Sequence, residues 1–120
     1  MEKQDIAWPQ YLIYIFIMLF VFLASTANGQ IEVKHFNAEW NEANGCSWFM
    51  DLEDCKTKSI VDVGKNPDEA KKYKIAVVPT IIIFKDGEEV ARFQADLSFK
   101  MVATKEEVQE EINEQLMSDF

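Results

Sequence analysis

The sequence has few of the residues from which most metal and nucleotide sites are built. It contains one histidine and two cysteines, His35, Cys46 and Cys55, and their spacing matches no recognised pattern of metal ligands. Its four glycines are scattered and form no glycine-rich phosphate-binding loop. We therefore expect no metal site and no cofactor.

Basic residues are also few compared with acidic ones. The chain has 12 lysines and arginines against 21 aspartates and glutamates, for a net charge of −9. Nucleic acids select basic surfaces, so this balance argues against a nucleic-acid partner. Repeats and low-complexity tracts are absent too, and 120 residues, 48% of them hydrophobic, form one packed domain at most.

One long apolar run lies near the N-terminus. Residues 11–25 (YLIYIFIMLFVFLAS) are almost wholly apolar but fall short of the ~20 residues of a membrane-spanning helix. The run has the length of the apolar core of a secretory signal peptide. The small residues Ala27 and Gly29 suit a cleavage site that would leave Gln30 as the new N-terminus.

The ten residues at the start of the chain fit a signal peptide less well, because they carry two acids and a single lysine. A retained membrane anchor through residues 6–25 is therefore the alternative. We divide the chain into a signal peptide or membrane anchor, residues 1–29, and a folded domain, residues 30–120. Both alternatives place the domain outside the cytoplasm, in the periplasm or cell envelope.

The first half of the folded domain alternates between strand and helix patterns. Residues 31–38 and 58–63 have the apolar spacing of strands, and residues 41–53 place apolar side chains at helical spacing. Residues 67–74 predict a short helix with Asn66 as its cap. Acids lie at its N-terminal end and lysines at its C-terminal end, which is the order that the helix dipole favours.

The second half predicts a hairpin and a final helix. Residues 80–84 (TIIIF) form a continuous apolar run, typical of a strand covered on both faces. The turn at Asp86 and Gly87 leads into a returning strand, and a capping box at residues 104–107 opens the last helix. The order β-α-β-α-β-β-α predicts an α/β fold with a mixed central sheet of about four strands flanked by helices.

Two stretches of this domain resemble the thioredoxin family. Residues 36–40 (FNAEW) are similar to the strand end that leads to the family's active site. Residues 65–93 (KNPDEAKKYKIAVVPTIIIFKDGEEVARF) contain the family's Asn-Pro helix start, Val-Pro-Thr bend and Lys-Asp-Gly hairpin in register. The resemblance covers about three quarters of the folded domain and implies the thioredoxin-like fold.

The residues that carry the family's reaction are missing. The family places Cys-x-x-Cys directly after the Trp, where a helix N-terminus stabilises the first thiolate and the second cysteine resolves the mixed disulfide. Here Asn41 and Asn44 follow Trp40 at those two positions. Carboxamides have neither an ionisable proton nor a two-electron couple, so this site cannot exchange disulfides. We interpret Asn41 as a helix N-cap.

Further departures from the family point the same way. His35 stands where the family has a buried acid, and we interpret it as a hydrogen-bonded strand residue. Ala95 replaces a glycine near the substrate cleft, and residues 94–103 (QADLSFKMVA) form a longer link to the last helix than is usual. The segment from Trp40 to Pro79 is shorter than usual, so the first helix or the loop after it is trimmed.

The two cysteines are the alternative catalytic residues. On one continuous helix, nine residues separate Cys46 from Cys55 by ~13.5 Å, whereas a disulfide needs Cα atoms within ~7 Å. They pair only if the helix ends near Asp51 and the chain folds back. Cys46 fits the apolar face of the predicted helix as a core residue. The acidic residues beside Cys55 should raise the pKa of its thiol, and the nearby lysines should oppose that rise. An alignment in which Cys46 replaces the first family cysteine stays open.

The resemblance also implies a peptide-binding groove. The Val78–Pro79 bond should be cis and should expose the backbone N–H and C=O of Val78 to an extended peptide, with Trp40 as an apolar floor. The predicted peptide-binding residues are therefore Trp40, Asn41, Asn44, Val78 and Pro79.

Three functions follow from these observations. The simplest is an exported, redox-inactive thioredoxin-like domain that binds proteins or unfolded peptides as a chaperone-type or assembly module. The second is a thiol–disulfide oxidoreductase that uses Cys46 with or without Cys55. The third is a membrane-anchored structural subunit of an envelope complex, held by residues 6–25.

Overall fold

The computed structural model of the chain describes residues 29–118. The signal peptide or anchor predicted for residues 1–29, including the attachment through residues 6–25, lies outside the described residues apart from Gly29. Within residues 29–118, no helix combines the length and the apolar character needed to cross a bilayer.

A four-stranded mixed sheet forms the centre of the domain. Its strands are β1 (Ile31–Asn37), β2 (Thr57–Asp62), β3 (Thr80–Lys85) and β4 (Glu88–Gln94), in the spatial order β2-β1-β3-β4. β1 is parallel to β2 and antiparallel to β3, and β3 is antiparallel to β4. The predicted α/β fold with a mixed sheet flanked by helices is confirmed.

Each face of the sheet buries its own apolar cluster. β3 is therefore covered on both sides, as its sequence predicts. Alternate residues of a strand point to opposite faces. One face carries a cluster of buried residues that also receives the last helix: Ile31, Val33, Phe49, Leu52, Ile81, Ile83, Val108 and Ile112. The other face carries the smaller cluster: Phe36, Val61, Ile82 and Phe84.

Local signals fix the hairpin and the last helix. Asp86 and Gly87 have φ angles of 54° and 86°, the left-handed values that a tight hairpin turn between right-twisted strands requires. Helix α2 (Lys105–Met117) begins with the predicted capping box, in which the Glu107 backbone N–H donates to the Thr104 hydroxyl at 3.2 Å. Both predictions are confirmed.

The short helix α1 (Pro67–Lys72) is also present, with its acids first and its lysines last. It ends two residues before the predicted boundary. Asn66 makes no side-chain cap bond to it, and its amide instead donates to the Asp62 carbonyl at 3.0 Å.

The α-helix predicted for residues 41–53 is wrong. The chain forms two short 3-10 segments there, Glu39–Asn44 and Phe49–Asp51, and Gly45 between them is extended with φ −67° and ψ 158°. The extended Gly45 stops the first segment from continuing as a helix. A Cβ at Gly45 would lie 3.2 Å from the Glu42 carbonyl oxygen, so the packing at this bend suits glycine.

Candidate functional site

The candidate site lies just beyond the carboxyl end of β1, beside the bend that precedes β3. The Val78–Pro79 bond is cis, as predicted. The Val78 side chain is buried, whereas the indole of Trp40 is 69% exposed. The strand end and the bend therefore bring Trp40 and Val78 together, although 37 residues separate the two segments in sequence.

Asn41 is the hub of the site and is only 3% exposed. The two N–H groups of its side-chain Nδ2 are shared among three acceptors: the Phe99 carbonyl at 3.1 Å, the Asn37 Oδ1 at 3.1 Å and the Val78 carbonyl at 3.3 Å. Its Oδ1 accepts from Asn44 Nδ2 at 2.9 Å, and its backbone carbonyl accepts from Asn37 Nδ2 at 3.1 Å. One carboxamide thus joins the end of β1, the bend before β3 and the loop after β4.

The interpretation of Asn41 as a helix N-cap is wrong. Ala38 occupies the N-cap position of the first 3-10 segment, and no side chain caps that segment. Asn41 lies inside the segment with non-helical angles, φ −112° and ψ 18°. Its amide points into the protein, where it pairs with buried carbonyl groups that would otherwise lack hydrogen-bond partners. The side chain of an N-cap residue would instead pair with a backbone N–H group at the start of the helix.

Replacing Asn41 by Ala is predicted to destabilise the protein by roughly 2–4 kcal/mol, since it leaves several buried polar groups without partners. Urea unfolding followed by circular dichroism measures the loss. The matched control is Asn44→Ala, which removes only one hydrogen bond of a more exposed residue and should cost less than half as much. Equal losses in the two variants would contradict the role of Asn41 as hub.

The loop after β4, residues 95–101, closes over Asn41 and was not predicted as part of the site. Its Phe99 ring stands edge-on to the Trp40 ring, with centroids 5.0 Å apart and planes at 89°. The Asp96 carboxylate holds the loop by accepting from the backbone N–H groups of Ser98 at 2.9 Å and Lys100 at 3.2 Å. The Ser98 hydroxyl and these N–H groups hold the pKa of Asp96 below its ordinary value. The only sequence signal was the unusual length of this link.

An apolar groove runs between the loop and the bend. It is a cavity of about 330 Å³, and its lining includes Trp40, Val63, Pro67, Ile75, Val78 and Phe99. Of the five predicted peptide-binding residues, Trp40 and Val78 line this groove. Asn41 and Asn44 lie behind it as a hydrogen-bonded pair, and Pro79 is fully buried.

His35 is a buried strand residue, 4% exposed, that interacts with the segment that carries Cys46. Its Nε2 accepts from the Cys46 backbone N–H at 3.2 Å, as expected for a hydrogen-bonded strand residue. The neutral ring therefore carries its proton on Nδ1, which has no hydrogen-bond partner among residues 29–118. Burial lowers the pKa of His35 from 6.5.

Because the pKa of His35 is lower in the folded chain, the unfolded chain binds the histidine proton more readily. The contribution of His35 to stability is complete above pH 6.5 and is lost as the pH falls below that value. We expect the free energy of unfolding to fall more steeply from about pH 7.5 to about pH 5.5 in the wild type than in His35→Gln. Parallel urea titrations measure both slopes, and identical slopes would show that His35 is not responsible.

Cys46 and Cys55 are free, half-buried thiols, and both pack against the larger apolar cluster instead of lining the groove. Burial raises the pKa of Cys46 to about 11. Burial also raises the pKa of Cys55, with Lys58 opposing and Asp54 adding to that effect. Cys46 and Cys55 form no disulfide with each other, and neither thiol has the lowered pKa of a nucleophile. Among residues 29–118, no three His, Cys, Asp or Glu side chains gather as a metal site would require.

A thiol with a pKa of about 11 is almost entirely protonated at neutral pH. In a Cys55→Ser background, Cys46 should therefore react with iodoacetamide about 100-fold more slowly at pH 8 than an ordinary cysteine. Mass spectrometry of timed samples measures the rate, and the same protein in urea should react at the ordinary rate. Fast alkylation of the native protein would mean that Cys46 is an activated thiol.

Together, the sheet order, the cis bend and the Trp at the end of β1 define a thioredoxin-like α/β protein. The thioredoxin family model matches residues 34–114, and the chain belongs to this family. It is 31% identical over 78 residues to a thioredoxin of Chlamydia trachomatis, a match covering 59% of this chain and 74% of that protein. It is 48% identical over 42 residues to chloroplastic thioredoxin Y1 of Arabidopsis thaliana, where the match spans only 24% of the relative's length.

Solved structures agree with this fold. Thioredoxin from Schistosoma mansoni superposes with a TM-score of 0.57 at 25% identity, covering 79% of this chain and 85% of that one. Thioredoxin-2 of a malaria parasite, described as a component of that parasite's protein secretion machinery, gives a TM-score of 0.55 at 22% identity. That match covers 72% of this chain and 84% of the parasite protein.

Proposed function

We propose that this chain is an exported, redox-inactive member of the thioredoxin family that binds protein or unfolded peptide segments as a chaperone-type or assembly module of the cell envelope. The observation that carries the proposal is the buried carboxamide of Asn41 at the position after Trp40, bonded to the Val78 carbonyl. This group has no proton to lose at neutral pH and no electrons to exchange, so the site binds without turnover.

Binding is supported by what the site leaves accessible. Trp40 is exposed beside an apolar groove and contacts the partly exposed Phe99, and contiguous apolar surface of this kind marks interaction sites. The Val78 backbone N–H makes no hydrogen bond within residues 29–118 and lies at the same place. An exposed aromatic surface next to an unpaired backbone donor suits an extended chain segment.

Trp40→Ala is predicted to weaken binding of a permanently unfolded client, such as reduced and carboxymethylated α-lactalbumin, by about tenfold. Isothermal titration calorimetry measures the affinity. The control is Met117→Ala, because Met117 on α2 is as exposed as Trp40 at 69% but lies outside the groove. The proposal fails if the two variants bind equally well, or if the wild type binds no client.

The competing function is disulfide exchange through Cys46 with or without Cys55, and the names of the matched relatives favour it. The raised pKa of both thiols argues against it. In an insulin-reduction assay we expect no turnover by the wild type above the blank. A thioredoxin that carries Cys-x-x-Cys serves as the positive control, because replacing Asn41 here would also remove its buried hydrogen bonds. Wild-type activity that disappears in Cys46→Ser would overturn the redox-inactive proposal.

The location rests on the sequence of residues 1–29, and we propose that the domain lies outside the cytoplasm. The intact mass of the protein from its native envelope distinguishes the two forms. A mass that begins at Gln30 is expected for a cleaved signal peptide. A mass that begins at Met1 would instead support the membrane-anchored structural subunit held by residues 6–25.

A further inference from the structure

We propose that two copies of this chain associate through the outer edge of β2, which pairs antiparallel with the same strand of the second copy. The two Ser59 residues then face each other across a two-fold axis. This association is separate from peptide binding, because no residue of β2 (Thr57–Asp62) lines the apolar groove. It follows from the backbone groups of β2 that have no partner and from the charges at the two ends of the strand.

β2 is an edge strand with one open side. It pairs with β1 alone, and no other strand within residues 29–118 lies against it. Proteins protect such edges with bulges or prolines, but β2 contains no proline and keeps one register with β1 from Thr57 to Asp62. Ser59 and Ile60 point to opposite faces of the sheet and are both exposed, Ile60 to 62%. The edge is therefore accessible at its centre from both faces.

The opposite edge of the sheet is better protected. The pairing of β4 with β3 contains a register shift, which interrupts the regular row of backbone groups. The Arg92 side chain lies along this part of the sheet, where it donates to the Glu89 carboxylate at 2.7 Å and to the Tyr73 carbonyl at 2.6 Å. Irregular pairing and charged side chains both discourage edge-to-edge contact, so β2 is the edge that suits a second copy.

The direction of each backbone group of β2 follows from one hydrogen bond to β1. The N–H and C=O groups of successive strand residues point alternately to the two sides of the strand. The Val63 N–H, just beyond β2, donates to the Asn37 carbonyl at 2.9 Å, so the odd-numbered residues of β2 face β1. The N–H and C=O groups of Lys58 and Ile60 therefore face outward, and they make no hydrogen bond within residues 29–118.

The turn after β2 restricts the register of the pairing. The Asp62 carbonyl also faces outward, but it already accepts from the Asn66 backbone N–H at 2.9 Å and from the Asn66 side-chain amide at 3.0 Å. Lys58 and Ile60 are thus the residues that offer both a free N–H and a free carbonyl. An antiparallel pair satisfies all of these groups when Lys58 of one copy lies opposite Ile60 of the other. Ser59 then lies opposite Ser59.

The same register makes the two ends of the pairing complementary in charge. Counted outward from Ser59, Lys56 of one copy lies opposite Asp62 of the other, and the two-fold axis repeats this pair. Within residues 29–118, neither side chain forms an ion pair in the single chain. Opposite charges at matching positions fix the register and orientation of a contact. A second copy supplies these charges, whereas the apolar residues 11–25 of the chain carry none.

The centre of the contact is small and partly apolar. In this register the Ile60 side chain packs against the aliphatic stem of Lys58 of the other copy. The Lys58 ammonium is held by the Met50 and Leu52 carbonyls at 2.6 and 2.8 Å, so its stem is already ordered beside the edge. A contact of one short strand per copy is below the size of a permanent interface. We therefore expect a dissociation constant on the order of 10 μM.

Hydrogen exchange tests the pairing on protein expressed from the complete sequence and purified from the cell envelope. Between dilute and concentrated samples, the amides of Lys58 and Ile60 should become about tenfold better protected, because they are paired only in the dimer. The amide of Ser59 faces β1 and should be protected equally in both, so it is the internal control. Sedimentation velocity of the same samples measures the dimer fraction.

Two results of this experiment would overturn the proposal. One is a protein that remains monomeric at about 200 μM with the amides of Lys58 and Ile60 unprotected, which would show that the edge stays open. The other is a monomer in which these amides are protected at every concentration. That result would identify residues 1–28 of the same chain as the cover of the edge.

Introduced cysteines distinguish the register. In the proposed dimer the two Ser59 Cα atoms are about 4.5 Å apart, within the range of a disulfide, whereas the two Ile60 Cα atoms are offset along the strands and lie roughly 8–9 Å apart. Under mild oxidation, Ser59→Cys should form a disulfide-linked dimer at least about tenfold faster than Ile60→Cys. The wild type controls for linkage through Cys46 and Cys55. Equal rates, or a faster Ile60→Cys, would contradict the proposed register.

A charge placed at the centre of the edge should prevent association. Ile60→Lys puts a lysine opposite Lys58 of the other copy and should raise the dissociation constant of the dimer at least about tenfold. The matched control is Val90→Lys on β4, because Val90 is an exposed residue of the opposite edge strand. Circular dichroism checks that both variants are folded. A dimer that survives Ile60→Lys, or that Val90→Lys weakens equally, would show that another surface holds the two copies together.

Discussion

The hydrogen bonds of one buried carboxamide hold the site of this protein together. Asn41 connects the end of β1 with Asn37, with the bend before β3 and with the loop after β4. A side chain with two N–H groups and one oxygen suits this junction, because the neighbouring backbone supplies carbonyls and Asn44 supplies an amide donor. A thiolate in the same place has no N–H to donate, so it could not make the bonds by which Asn41 holds the Val78 and Phe99 carbonyls.

His35 and Cys46 are both poorly suited to move a proton at neutral pH. His35 stands where the family places an acid, but burial lowers its pKa and its Nε2 is occupied by the Cys46 N–H. Burial keeps the Cys46 thiol protonated. The Asn41 carboxamide and the His35 imidazole are therefore buried polar groups whose hydrogen bonds are made within the protein.

The sequence predicted those parts of the fold that depend on neighbouring residues. The Asp86–Gly87 turn, the capping box from Thr104 to Glu107 and the apolar run of β3 are local patterns, and each was found where predicted. The role of Asn41 was not predictable in this way, since its partners Val78 and Phe99 lie 37 and 58 residues along the chain. The helical spacing of residues 41–53 was misleading because apolar residues pack equally well from two short 3-10 segments separated by Gly45.

The loop of residues 95–101 contributes an aromatic side chain, Phe99, to the lining of the groove. In a groove with free carbonyls and free N–H groups, an extended peptide pairs as an added strand would and its side chains decide specificity. Here the Val78 and Val77 carbonyls accept from Asn41 and Thr80, and the Phe99 ring stands edge-on against Trp40. The accessible part of the groove is therefore an aromatic pair beside an apolar lining, and its shape depends on the carboxamide of Asn41 that fixes the loop.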